Sequence, residues 1–267
     1  MIPREHGAWS MMIQPFLCAA ILAGVWHWTL LPAAGAVLGA FLLREPLVVM
    51  GRQRLVWTTP HEETGAARRW LGGLLGGLAA SGGLLAMRWP WPLLALFGGL
   101  AMALTALAVV LTVKNRQRSW WLQVLSAAGL SASCFAAALS ALGTIPDWCW
   151  WVWLVSTMHA LAGILVVHAR LEARIAAKTK KATPPRFRLP AAAAAAMLLT
   201  AAIACALLER AILAAALALS ATVHAWGIWT LSTAKSMATP LMKVGLRAMT
   251  LSIVVSILMV AGLWREA

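Results

Sequence analysis

The sequence predicts an all-α polytopic membrane protein, and three observations carry the prediction. Apolar runs of about 20 residues, each long enough to cross a bilayer, recur along the whole chain. Hydrophobic residues make up 62% of the 267 and charged residues only 11%. The Lys and Arg residues behind the formal net charge of +14 fall in clusters between the apolar runs. In a soluble protein that charge would point to nucleic acid; between apolar runs it has an orienting role, and nucleic acid is excluded as a partner.

Breaks at charged or Pro/Gly-rich stretches divide the chain into nine transmembrane segments, near 8–26, 30–50, 70–87, 92–113, 119–142, 148–170, 190–208, 211–231 and 244–264. The first follows the polar cluster PREH and has no small-residue cleavage site, so it reads as a retained helix. WHW closes it at Trp26 and Trp28, and the second ends in REPLVVMGRQR. The third and fourth meet at RWPWP, the fourth and fifth at KNRQR, and the fifth and sixth just before the Trp-rich stretch DWCWWVW. The sixth runs into HARLEAR, and AAKTKKATPPRFRLP then forms a cytoplasmic loop, about 171–189, ahead of the last three segments. The whole, 1–267, reads as one transmembrane domain.

With the N-terminus inside, all but three of the 22 Lys and Arg residues are cytoplasmic, the exceptions being Arg88, Arg210 and Arg265. That asymmetry predicts a cytoplasmic N-terminus, an external C-terminus and a multi-pass protein of a cytoplasmic (inner) membrane, with the lipid bilayer as solvent. Trp26, Trp28, Trp89, Trp91, Trp148, Trp150, Trp151 and Trp153 gather at the outer ends and predict an interfacial belt. The four cysteines, Cys18, Cys134, Cys149 and Cys205, lack ligand spacing, so they predict neither a disulfide framework nor a metal site.

Ionisable groups inside apolar segments cost free energy and mark candidate function. Arg44 and Glu45 lie inside the end of the second segment beside Pro46. His159 and Arg170 are 11 positions apart, as are His224 and Lys235; the offset is about 20° around an ideal helix, so each pair shares a stripe. Both histidines are then expected at one depth, about 16 Å from their basic ends. Each alone is ordinarily a hydrogen-bonded core residue. Together they also suit bis-histidine haem ligation, with Gly163 and Gly227 within a turn. His168 and Glu172, at i and i+4, can pair directly. Arg4, His6, Arg44, Arg52, Lys114, Arg116, Arg170 and Arg174 ring the cytoplasmic end, with Lys243 and Arg247 beside them, and guanidinium groups suit phosphate or carboxylate.

PREHGAW, FLLREPL, NRQRS and HARLEAR together resemble the YwiC-like family of bacterial membrane proteins, over nearly the whole chain. That resemblance implies topology and little chemistry. A more distant similarity of layout is to the UbiA intramembrane prenyltransferases, which have nine helices, a cavity open toward the cytoplasm, Asp-rich motifs ending helices 2 and 6 and a basic motif ending helix 4. At the helix-4 position LTVKNRQR keeps Lys114, whereas REPLVVMGRQR and VVHARLEAR stand where the Asp-rich motifs would be. Only Glu45 and Glu172 lie near, too few hard oxygens for magnesium diphosphate. The resemblance therefore implies a UbiA-like bundle holding its ligand without metal.

These readings predict a cytoplasm-facing cavity for an anionic amphipathic small molecule (an isoprenoid phosphate, lipid or quinone precursor). It would be bound or modified by a metal-independent or degenerate transferase, with His168 as acid or base and Glu172 orienting it. A small-anion transporter using the same basic mouth is the alternative, disfavoured by the few polar groups in the outer halves of the helices. The bis-histidine haem protein is the other.

Overall fold

In a computed structural model of the chain, residues 6–59, 61–116, 119–179, 186–233 and 239–265 are described. They form ten α-helices: α1 (His6–Ala23), α2 (Leu30–Leu55), α3 (Glu63–Leu85), α4 (Trp91–Val113), α5 (Trp120–Ser131), α6 (Ser133–Leu142), α7 (Asp147–Thr179), α8 (Arg188–Leu207), α9 (Ala211–Trp229) and α10 (Leu241–Leu263). Among the described residues, seven spans are long and apolar enough to cross a membrane: α2, α4, α5 with α6, α7, α8, α9 and Met242–Leu263 of α10. α1 is apolar but shorter. α3 takes two arginines, Arg68 and Arg69, and seven glycines into its 23 residues, which lowers its hydropathy.

Neighbouring rods announce their directions through their contacts. Gly35 and Gly39 of α2 face Ser81 and Leu78 of α3, an antiparallel pairing, and the GxxxG spacing of those glycines is what lets two membrane helices approach closely. His159 with Ser220 and Gly227 with Val166 make α7 and α9 parallel, while His159 with Ser252 and Arg174 with Thr239 make α10 antiparallel to α7. At Gly262 an added Cβ would lie 3.1 Å from the backbone nitrogen of Leu213, so α10 crosses the start of α9 with nothing flexible between them.

The main core joins α1, α6, α7, α8, α9 and α10 around Ala138, Val152, Leu198, Leu217 and Met259, all buried. A smaller cluster ties Ala33 of α2 and Leu85 of α3 to Ala136 and Leu139 of α6. The α2–α4 group therefore leans on the main block at the end where Leu85 and Trp89 meet α6 and leaves space beyond that contact.

Three differences from the sequence-based expectation have clear physical causes. α7 continues through Thr179, so the segment expected as loop from 171 is helical for nine further residues. RLEARIAAKT is polar enough to end a hydropathy segment yet consists mainly of good helix formers without Gly or Pro. The fifth segment is broken at Ala132 into α5 and α6. No proline lies there; Ser131 and Ser133 flank the break, and Ser133 donates to the carbonyl of Met12 in α1 at 2.7 Å, an alternative to regular helical pairing. Finally, Trp89 and Trp148 are buried while Trp26, Trp28, Trp91 and Trp150 are exposed, so two of the expected belt residues are core instead.

Trp89 donates from its indole nitrogen to Ser140 Oγ at 3.2 Å. Beside it, Arg88 donates to the carbonyls of Ser140 and Ala141 at 3.0 and 3.1 Å, and Thr29 Oγ1 donates to the Ser140 carbonyl at 2.8 Å. Arg88 thus satisfies carbonyls that the end of α6 would leave orphaned. Arg88→Ala is expected to lower stability by about 1–2 kcal/mol, from two charge-assisted bonds to half-buried carbonyls. A thermal unfolding curve in detergent that matches the parent would show that water replaces the guanidinium without loss.

Candidate functional site: a cavity with a basic end

A cavity of about 2010 Å³ lies between the α2–α4 group and the α1, α5–α7 and α10 walls. Its lining is mostly apolar. Along α7 it extends from Trp150 to His168, a stretch of about 27 Å at the helical rise. Trp89, Phe97 and Trp150 lie toward the aromatic end; Arg44 and His168 line it toward the basic end. Arg44 is half-buried, and its Nη2 reaches Thr112 Oγ1 of α4 at 3.4 Å. Thr112 also donates back to the carbonyl of Ala108 at 2.7 Å, which holds its hydroxyl in place. Pro46, buried two positions after Arg44, keeps α2 continuous but removes one N–H from its hydrogen-bond ladder.

The other expected ligand-holding residues spread along the same end. Glu45 and Arg52 are half-buried on α2, whereas Lys114 and Arg116 are exposed after α4. Arg4 lies outside the described residues, as does Lys235. His6 begins α1. Arg170 lies in the electrostatic field of Arg174 and Arg247, and Arg174 donates to the carbonyl of Thr239, which ties the end of α7 to the entry of α10. Glu172 accepts the backbone N–H of Phe187 at 3.2 Å, and the His168 ring stacks on Phe187 at 4.9 Å between centroids. His168 and Glu172 therefore meet at one residue just before α8, and that contact anchors the returning chain. Gln53, in the RQR stretch that forms the last turn of α2, accepts from His61 N and Thr64 Oγ1 and donates to the Thr59 carbonyl; its work is to fold the turn into α3.

Deeper in the wall the rings of His159 and His224 stand 5.3 Å apart. His159 shares hydrogen bonds with Ser220 Oγ through Nδ1, at 2.7 Å, and with Ser252 Oγ through Nε2, at 2.8 Å. A haem iron between the two rings would need one uncommitted nitrogen from each, with the macrocycle between them. His159 has both nitrogens engaged and the rings are already in contact, so the pair does not fit a bis-histidine haem. Gly163 and Gly227 have packing roles instead: a Cβ at Gly163 would meet His224 Cε1 at 3.5 Å, and one at Gly227 would meet Val166 at 3.1 Å. Among the described residues no group of three or more His, Cys, Asp or Glu could hold a metal ion.

The family model described as YwiC-like protein matches residues 2–139. The chain belongs to the YwiC-like family. The match covers α1 to α5 and most of α6, and with them PREHGAW, Arg44, Lys114 and Arg116; HARLEAR lies beyond it. No curated protein and no solved structure matches the chain. In this YwiC-like chain, the residues that sequence reasoning missed are the serines. Ser220 and Ser252 carry no pattern of their own in apolar helices and become visible only once His159 is placed between them.

Proposed function

We propose that this YwiC-like protein is a single nine-crossing domain of the bacterial inner membrane whose cavity binds an amphipathic molecule with an anionic head. The basic end faces the cytoplasm and the C-terminus is external in this reading. One observation carries it: a mostly apolar cavity of about 2010 Å³ has Arg44 and His168 in its wall toward the end where the Lys and Arg residues gather. Small-molecule pockets are commonly about 300–1,000 Å³, so this one has room for a lipid or polyprenyl chain. Arg44 supplies charge-assisted hydrogen bonds to a phosphate or carboxylate, and α1 and α3 complete the nine crossings despite their length and hydropathy. The arrangement is what a UbiA-type bundle would present after losing its Asp-rich motifs. His168 on the wall is the group to move a proton if the bound molecule is modified, with Glu172 and Phe187 fixing the segment around it.

The test is retention of farnesyl phosphate against farnesol by the protein in mild detergent, read by native mass spectrometry. The phosphate is expected to be retained at least about tenfold better, equivalent to 1.4 kcal/mol. Equal retention would remove the anionic head from the proposal, and retention of neither would remove the ligand.

A further inference from the structure

Ser156, His159, Gly163, His224, Ser252 and Ser256 all line the cavity, midway along an otherwise apolar wall built by α7, α9 and α10. His224 is 6% exposed, and its Nε2 has no hydrogen-bond partner among the described residues. A buried polar atom left this way calls for a ligand or water to complete it. The chemistry of the cluster is neutral. The only acids on α7, Asp147 and Glu172, are more than three turns from His159, and α9 and α10 contain none. Two imidazoles in contact, far from any carboxylate and deep in apolar packing, are held as neutral rings. A neutral imidazole between two hydroxyls donates from one nitrogen and accepts at the other, so His159 fixes which way Ser252 can turn.

We infer that this cluster is a second recognition point in the cavity, taking a neutral hydroxyl or carbonyl oxygen carried part-way down the chain of the bound amphipath. The inference rests on the anionic-head reading above and adds the class of molecule: an oxygen-bearing acyl or prenyl chain. Ser252 and Ser256 on α10, with Ser156 on α7, supply hydroxyls that either donate to a carbonyl or exchange hydrogen bonds with a hydroxyl. Spacing supports the assignment. His168, on the cavity wall at the basic end, is nine positions from His159 on the same helix, about 13.5 Å by the helical rise, so the oxygen sits well down an extended chain from the charged head.

Oleate and ricinoleate provide the probe pair, because they share head and chain and differ by one hydroxyl on the twelfth carbon. Competed at equal concentration against the full chain in detergent and read by native mass spectrometry, ricinoleate is expected to win by about fivefold, the scale of one neutral hydrogen bond. Ser252→Ala and His224→Phe should each bring that ratio to about one, and Arg44→Ala should weaken both probes alike and leave the ratio. If the protein retains both acids equally, the second point is overturned while the anionic head stands. A preference for ricinoleate that persists in both variants also overturns it. Retention of neither acid overturns both readings. Should His224→Phe fail to fold, Ser252→Ala alone decides, since the side chain it truncates is half-buried and small.

Discussion

Arg44→Ala is expected to reduce retention of farnesyl phosphate by between about thirtyfold and a few hundredfold. The guanidinium lines an apolar cavity next to Thr112, where little water competes for the phosphate. Truncating one partner of a buried charged pair costs about 2–5 kcal/mol, part of it the penalty of leaving the other charge unpaired. At 1.4 kcal/mol per decade the lower half of that range spans the stated loss. Arg44→Lys should recover only part, since an ammonium keeps the charge without the planar fork. Lys114→Ala and Arg116→Ala, at exposed positions, should each change retention by less than about threefold because their charges are screened. Binding is measured on the same detergent-purified protein as in the farnesol comparison. If Arg44→Ala binds farnesyl phosphate like the parent while Lys114→Ala does not, the head group lies outside the cavity, at the exposed basic ring, and the assignment of Arg44 fails.

How much of this was legible in the sequence depends on the length scale of the signal. The helical class follows from apolar runs about one bilayer long, seven of which are membrane-length apolar spans among the described residues, and the α8 and α9 boundaries expected at 190–208 and 211–231 differ by two residues or fewer from Arg188–Leu207 and Ala211–Trp229. The overrun of α7 was hidden because hydropathy reports water against lipid, not helix against loop, and an amphipathic extension such as RLEARIAAKT changes the first without changing the second. The break at Ala132 rests on a single hydroxyl, Ser133, reaching the Met12 carbonyl 121 positions earlier, a tertiary event with no local pattern. Trp89 and Trp91 show the same limit: two residues apart at the same helix start, one is 5% and the other 70% exposed, because only Trp89 meets Ser140. Equal spacing to the basic residues did indicate the matched depth of His159 and His224. The identity of what surrounds them did not follow, since serine occurs in apolar helices without periodic signature.

His159→Phe is expected to be the most destabilising conservative replacement in the main core, at about 2–3 kcal/mol. Phenylalanine fills a similar volume, so the effect isolates the two hydrogen bonds to Ser220 and Ser252 at 2.7 and 2.8 Å. Each bond is worth about 1 kcal/mol net, and a hydroxyl stranded without a partner adds its own desolvation cost. Ser220 is fully buried, so no water reaches it. Two effects limit the loss: hydrogen bonds between membrane helices average only about 0.6 kcal/mol in double-mutant cycles, and a serine in a helix can turn to the carbonyl four residues earlier. The decisive measurement is therefore a cycle and not a single value. Ser220→Ala and Ser252→Ala should each destabilise the parent by about 1 kcal/mol, yet cost almost nothing in the His159→Phe background, because residues in one network couple while independent ones add. Unfolding by a denaturing detergent, followed by tryptophan fluorescence, gives the four stabilities of each cycle. If the serine replacements cost the same with and without His159, the three side chains are neighbours and not a network, and α7, α9 and α10 are held by packing around Val155, Leu217 and Val255 alone.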